Sequence, residues 1–405
     1  MEVATQRAPG KPERRPTFTR VAWALGTLVV LVLFVRAFVG DVYRVDSGSM
    51  APTLWGSEGG GEWVFVRFTD TPPARHEVVV AQRAGERAPV VKRVVGLPGE
   101  NVLISGGDVL VNGRRLAPSE PRPPWVLVFD PAVRSMESAF PIPPGQSALW
   151  RAMPDGVDLD ARTLEGGGLR GALFFRDAFL DDYLGPSGEL VRGESPATDA
   201  RVEVVVTSHE AGSRFRIGLT EQGDTFQAHI RRVDAHSCEV QLTRRNAQRT
   251  DARGRQVEVT LASAVVGLPA GVPRRVAFEN RDDVLRLEVE GAEPLVAPYR
   301  ENVPFGTDEF GERRSAGYRV WLAGEGGRFE FRRVRVLRDL SYTEHGLHGV
   351  TTACELGPDE YFLLGDLSSR SRDSREWGAV RRAEIVGRPA AVVWPPARWR
   401  RLDGR

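Results

Sequence analysis

The chain reads as a mostly β protein with a single N-terminal transmembrane helix and a β domain that a large inserted β-sandwich splits in two. Three observations predict this. One uncharged apolar run lies near the N-terminus, and short β-type segments punctuated by Gly and Pro begin directly after it. A longer series of such segments, spaced near ten residues, then separates two stretches of the first kind.

At 405 residues the chain exceeds one ordinary domain. It is 41% hydrophobic and 27% charged, which fits a protein able to bury a core. The net charge of +1 provides no global field for an acidic partner, and no nucleic-acid motif is present, so nucleic acid is excluded as a partner. Cys238 and Cys354 lie too far apart for a CxxC site; their pairing and two free thiols both stay open.

Residues 1–20 form a polar, basic tail, expected in the cytoplasm. Residues 21–40 are the expected anchor, about 30 Å long as a helix, with Trp23 at one interface and Arg36 reaching the headgroups at the other. The exit Arg36-Ala37-Phe38-Val39-Gly40-Asp41 lacks a small-x-small cleavage site, so a retained single-pass anchor in the cytoplasmic (inner) membrane is predicted, with the remainder outside. Residues 41–121 contain strands at 63–68, 77–80, 90–95 and 109–111, and Asn112-Gly113 is a two-residue hairpin signal. A Pro-rich break at 117–124 marks a boundary. Residues 122–339 form the insert, with strands predicted at 202–207, 214–219, 226–231, 239–242, 257–261, 274–278, 284–289, 318–322 and 329–337. Residues 340–405 return to the first domain, with strands at 361–364 and 390–394.

The chemistry rests on an oddity of composition. Among 55 Lys and Arg residues only Lys11 and Lys92 are lysine. Lys11 lies in the tail, whereas Lys92 sits in the apolar run Val90-Val91-Lys92-Arg93-Val94-Val95. Arginine keeps its proton in proteins, but a desolvated lysine can lose one and act as a base. Two other segments carry serines and charges: Asp46-Ser47-Gly48-Ser49-Met50-Ala51-Pro52-Thr53-Leu54, and Leu364-Gly365-Asp366 followed by Ser371-Arg372-Asp373-Ser374-Arg375-Glu376-Trp377-Gly378.

Together with Val91-Lys92-Arg93-Val94-Val95-Gly96-Leu97-Pro98-Gly99-Glu100, these segments resemble type I signal peptidases over roughly residues 20–120 and 340–395. The family carries S-G-S-M-x-P-T-L, K-R-x-x-G-x-P-G-[DE] and G-D-N-x-x-x-S-x-D-S-R-x-W-G in this order. The resemblance implies a membrane-bound endopeptidase that cleaves signal peptides from exported preproteins after Ala-x-Ala, without a cofactor or metal. It makes Ser49 the nucleophile and Lys92 the general base. Ser47 becomes an oxyanion donor beside the Ser49 N–H, and Ser371 the residue that orients Lys92. Arg93–Asp366 and Asp373–Arg375 become supporting ion pairs. The substrate would lie as an added strand in a shallow groove lined by Tyr43, Val45, Met50, Leu54 and Val91.

Three departures from the family pattern stand out. Leu367 occupies the Asn position, Asp46 replaces a proline, and Arg75-His76-Glu77 stands where R-G-D is usual. The insert resembles lectin-like sandwiches of laminin-G or concanavalin type, so the alternative is a peptidase scaffold with weak or lost activity, serving as a surface binding module. His345, His348 and Glu344 form a loose H-x-x-H that lacks the rigid third and fourth ligands of a metal site. The arginines at 231, 232, 244, 245, 253 and 255 read as a solvated face.

Overall fold

The computed structural model describes residues 18–402, apart from 58–59, 84, 86–87, 117–119, 165–170, 178–179, 198, 222–223, 251–255 and 300–318. The tail before residue 18, including Lys11, lies outside the described residues, as do Arg253 and Arg255.

The N-terminal helix α1 spans Phe18–Phe38, and Trp23, Leu25, Leu31, Phe34 and Phe38 are exposed on it. Among the described residues, no helix is long and apolar enough to cross a membrane. The expected anchor at 21–40 falls on this helix and differs from it at the end. Gly40 already belongs to the strand Gly40–Arg44, and Arg36 falls inside the helix.

The first domain is built on an antiparallel sheet. Its order is Gly40–Arg44, Trp63–Phe68, Ile385–Trp394, Val78–Ala81, Val90–Gly96, Glu360–Leu364, Val380–Arg381, with Arg400–Arg401 on the outside of Ile385–Trp394. The two halves of the sequence thus interleave in one sheet, since Ile385–Trp394 lies between Trp63–Phe68 and Val78–Ala81. Valine-rich runs suit such a position because both faces are covered. Val64, Val66, Val78, Val80 and Val392 fill one face, and Val79, Val94, Leu363 and Ile385 the other. A small sheet of Asn101–Ser105, Asp108–Val111 and Cys354–Glu355 flanks it. Asn112-Gly113 is a tight turn with φ of 51° and 74°, but its return arm is the single bridge Val111↔Arg114. The hairpin itself turns at Gly106-Gly107.

The insert is built on two large antiparallel sheets, with the short antiparallel pair Tyr183–Leu184 and Leu190–Val191 beside them. One runs Leu173–Phe174, Arg319–Glu325, Arg214–Glu221, Asp224–Arg232, Ser237–Thr250, Gln256–Gly267. The other runs Leu295–Pro298, Val284–Val289, Arg274–Arg281, Ala200–Ser208, Arg328–Arg338, Gly156–Asp160, Trp150–Met153, with Val126–Phe129 also on Arg328–Arg338. Alternating residues from both sheets, such as Phe215, Ile217, Phe226, Val204, Phe278 and Phe331, form one core between them. Arg232 departs from the expected solvated face. It is buried and donates to the Leu268 carbonyl at 2.8 Å and to Ser208 Oγ at 2.7 Å. Both cysteines are free: Cys238 belongs to the insert core, and Cys354 packs in the first domain.

Candidate active site

The three sequence segments meet on one side of the first domain. Ser49 sits in the one-turn 3-10 helix Gly48–Met50, just beyond the strand Gly40–Arg44. Lys92 is the third residue of Val90–Gly96 and lies opposite Val79 in the neighbouring strand. Lys92 Nζ donates to Ser49 Oγ at 2.7 Å and to its neighbour's carbonyl, Val91 O, at 3.1 Å. The two residues are 3% and 4% exposed. Ser47 Oγ is 3.1 Å from Ser49 Oγ on the solvent side.

Burial pushes the Lys92 ammonium down to about 8, against weaker opposing pulls from Asp373 and Asp366. Charge is costly in a dry site, so the proton leaves more easily. A neutral amine in contact with a hydroxyl can accept its proton, which the same contact in reverse describes.

Beneath this pair lies Arg93, whose side chain and that of Asp366 are both 0% exposed. Its guanidinium donates to both Asp366 oxygens at 2.7 and 2.6 Å and to the His76 carbonyl at 2.6 Å. Thr53, in the nucleophile segment, accepts from Arg93 at 3.2 Å and donates to Asp366. It therefore ties all three segments together. The second ion pair, Asp373–Arg375, is likewise buried, at 2.8 and 2.7 Å. Arg375 also holds Ser368 Oγ at 2.6 Å and the Thr343 carbonyl at 3.0 Å.

Two sets of expected site residues lie differently from the contacts expected of them. Ser371 Oγ is buried without a hydrogen-bond partner among the described residues, so it does not orient Lys92 here. It packs against Gly365, whose missing Cβ leaves room for it. The lining residues form a floor rather than an open wall. Met50 and Leu54 are wholly enclosed, Val45 and Val91 nearly so, and only Tyr43 is half-buried. All five pack in one apolar cluster on a face of the sheet.

The departures from the family pattern gain physical sense. Leu367 turns its side chain into the core with Ala51 and Leu364, while its N–H donates to the Ser49 carbonyl at 3.0 Å. His76 has φ of 67°, the left-handed region in which glycine is at ease. Its ring is buried with both nitrogens unpartnered among the described residues, and burial, followed by Arg93, pushes it down to about 3. Sequence reasoning gave no role to Thr53, Gly365, Thr343 or Ser368. Thr53 and Gly365 stand inside the motifs and were legible in principle. Thr343 and Ser368 carry no sequence signal.

His345, His348 and Glu344 form no cation cluster; Glu344 Oε1 accepts the Gly106 N–H at 2.6 Å. Among the described residues, the one acidic group close enough for a cation is Asp108, Asp199 and Asp282, at the seam with the insert. There Arg115 meets Asp108 at 2.8 Å, and Arg122 pairs with Asp282.

A serine hydroxyl thus meets a buried lysine on a β domain whose sequence is split in two. The chain belongs to the family described as signal peptidase, peptidase S26, which it matches over residues 18–130 and 288–394. It is similar to Signal peptidase I of Leptolyngbya laminosa, 32% identical over 121 residues, 27% of this chain and 58% of that one. It is also similar to Signal peptidase I P of Bacillus subtilis subsp. natto, 33% identical over 105 residues, 25% of this chain and 56% of that one. The chain spans a little over half the length of these curated relatives. Among solved structures it is similar to the carbohydrate binding module CBM66 from Bacillus subtilis, with TM-score 0.27 and 10% identity, covering 46% of this chain and 90% of that one. A likeness at that score carries no argument about the insert.

Proposed function

We propose that this protein is a peptidase that removes N-terminal signal peptides from exported preproteins after Ala-x-Ala, using Ser49 as nucleophile and Lys92 as general base. The observation that carries the reading is the buried 2.7 Å contact between Lys92 Nζ and Ser49 Oγ. With its pKa lowered to about 8, roughly one lysine in ten is neutral at pH 7, about 300 times more than at the ordinary value.

In this reading the neutral amine takes the Ser49 proton as Oγ attacks the scissile carbonyl carbon. The oxyanion is met by the Ser47 hydroxyl and the Ser49 N–H, a contribution of about 3 kcal/mol per donor. Lys92 then gives the proton to the leaving amine, and a water activated by the same lysine hydrolyses the ester. The strand Gly40–Arg44 ends its sheet, which suits a substrate that adds as a further strand. The exposed apolar surface of α1 supports attachment to a lipid bilayer, with its side chains embedded in lipid.

The test is release of an Ala-x-Ala signal peptide from a preprotein in detergent by wild type, Ser49→Ala and Lys92→Arg. Both variants should lose cleavage. Activity retained in Lys92→Arg would sink the pair, because arginine cannot serve as the base.

A further inference from the structure

The insert reaches the catalytic turn at one place. Just before its short strand Tyr183–Leu184, Asp181 is buried, and its Oδ1 accepts the N–H groups of Glu194 and Ser195 at 2.6 and 2.8 Å. Its other oxygen, Oδ2, accepts a hydrogen bond from Ser369 Oγ at 2.9 Å. The backbone here is equally fixed. Buried Arg338 donates to the carbonyls of Asp181 and Asp182 at 2.9 and 2.7 Å. Two residues on, the Tyr183 ring packs on Trp55 with centroids 5.5 Å apart and joins the cluster that holds Ala51 and Leu367.

Ser369 lies in the one-turn 3-10 helix Ser368–Arg370. The residue before that turn is Leu367, whose N–H holds the carbonyl of Ser49 itself. The turn's own anchors come from Arg375, through Ser368 and through Thr343, in the segment that leads out of the insert's strand Arg328–Arg338. Insert residues therefore bind the turn on one side and the connection out of the insert binds it on the other.

We propose that the insert is a positioning element of the catalytic site. Asp181 and Tyr183 hold the turn at 367–371 against the backbone of Ser49, so that its hydroxyl stays within reach of Lys92. The inference rests on the Ser49/Lys92 reading and assigns the insert a role in that chemistry. The physical argument is one of tolerance. A shift of about 1 Å in a reacting group can cost about 100-fold in rate. Arg375 ties the turn through Ser368, and at the exposed Ser369 the contact to Asp181 adds a second restraint from the insert.

The experiment measures kcat and KM for preprotein cleavage by the full chain in detergent, with Ser369→Ala, Ser369→Thr and Tyr183→Leu, and with Ser49→Ala alongside. Ser369→Ala should lose about fivefold and Tyr183→Leu about twentyfold in kcat, with KM within about twofold. Ser369→Thr keeps the hydroxyl and should restore the rate. Amide exchange at Leu367 should quicken about tenfold in Tyr183→Leu. His229→Ala, on the six-stranded sheet of the insert, should leave kcat unchanged. Wild-type kcat in both Ser369→Ala and Tyr183→Leu, with Ser49→Ala inactive, overturns this inference and leaves the pair standing. A rise in KM alone also overturns it, since the insert would then shape access rather than position. Cleavage by Ser49→Ala overturns both.

Discussion

Replacing Lys92 by methionine should abolish cleavage and stabilise the protein. Burial lowers the lysine from 10.5 to about 8. At pH 7 the folded chain holds the charge at a cost of about 3 kcal/mol, the free-energy equivalent of that shift. Methionine of similar length removes the charge and fills the same space. Val91 O loses its 3.1 Å donor, which returns about 1 kcal/mol, while Ser47 and Ser49 keep each other as partners. The net expectation is about 2 kcal/mol of added stability at pH 7. The pH dependence carries the sign. Between about 8 and 10.5 the unfolded chain keeps a proton that the folded chain has released, so wild-type stability rises with pH across this window. The variant gains nothing there, so the gap should close near pH 10 and reverse above it. Urea unfolding of both proteins in detergent, at pH 7 and at pH 10, measures it. A variant less stable than wild type at pH 7, or a gap that does not change with pH, refutes the burial argument.

The same ionisation should give kcat/KM an acid limb near pH 8, with a tenfold fall per unit below it; a flat profile between pH 6 and 9 would contradict Lys92 as base. His76 is held neutral to about 3, so it contributes stability above its unfolded value of 6.5 that is lost as pH falls towards 3. Between pH 7 and 4.5, His76→Gly should therefore lose about 3 kcal/mol less than wild type in urea unfolding; equal losses would remove His76 from the acid response. Gly365→Ala would drive a Cβ into Ser371 Oγ and to 2.6 Å from the Ser49 carbonyl oxygen. Its kcat should fall by about 100-fold with the fold retained, as circular dichroism and the cleavage assay would together show.

The strands of both domains were legible because alternation and valine-rich runs report burial directly. The predicted strand at 284–289 coincides with Val284–Val289, and 329–337 with Arg328–Arg338. The helix ends at Phe38 rather than at 40, because hydropathy alone does not mark where a helix stops and Gly40 pairs with Arg67 in the sheet instead of extending α1. The burial of the expected groove residues is not legible locally, because an apolar residue near a site can equally be its floor. For Ser371, spacing fixes which loop the hydroxyl occupies, but packing around Gly365 fixes its direction.

By itself the sequence determined which groups are available for the chemistry. A chain that uses arginine almost everywhere yet carries one lysine in its folded part, in a run of valines, already isolates Lys92 as a candidate base. Tertiary structure decided what surrounds that lysine. Ser49 and Lys92 are 43 residues apart, Arg93 and Asp366 are 273 apart, and Asp181 meets Ser369 across 188. Such contacts form only when a strand from the C-terminal part inserts between strands of the N-terminal part. Local patterning cannot encode them, because each depends on where distant backbone is brought by the packing of the whole sheet.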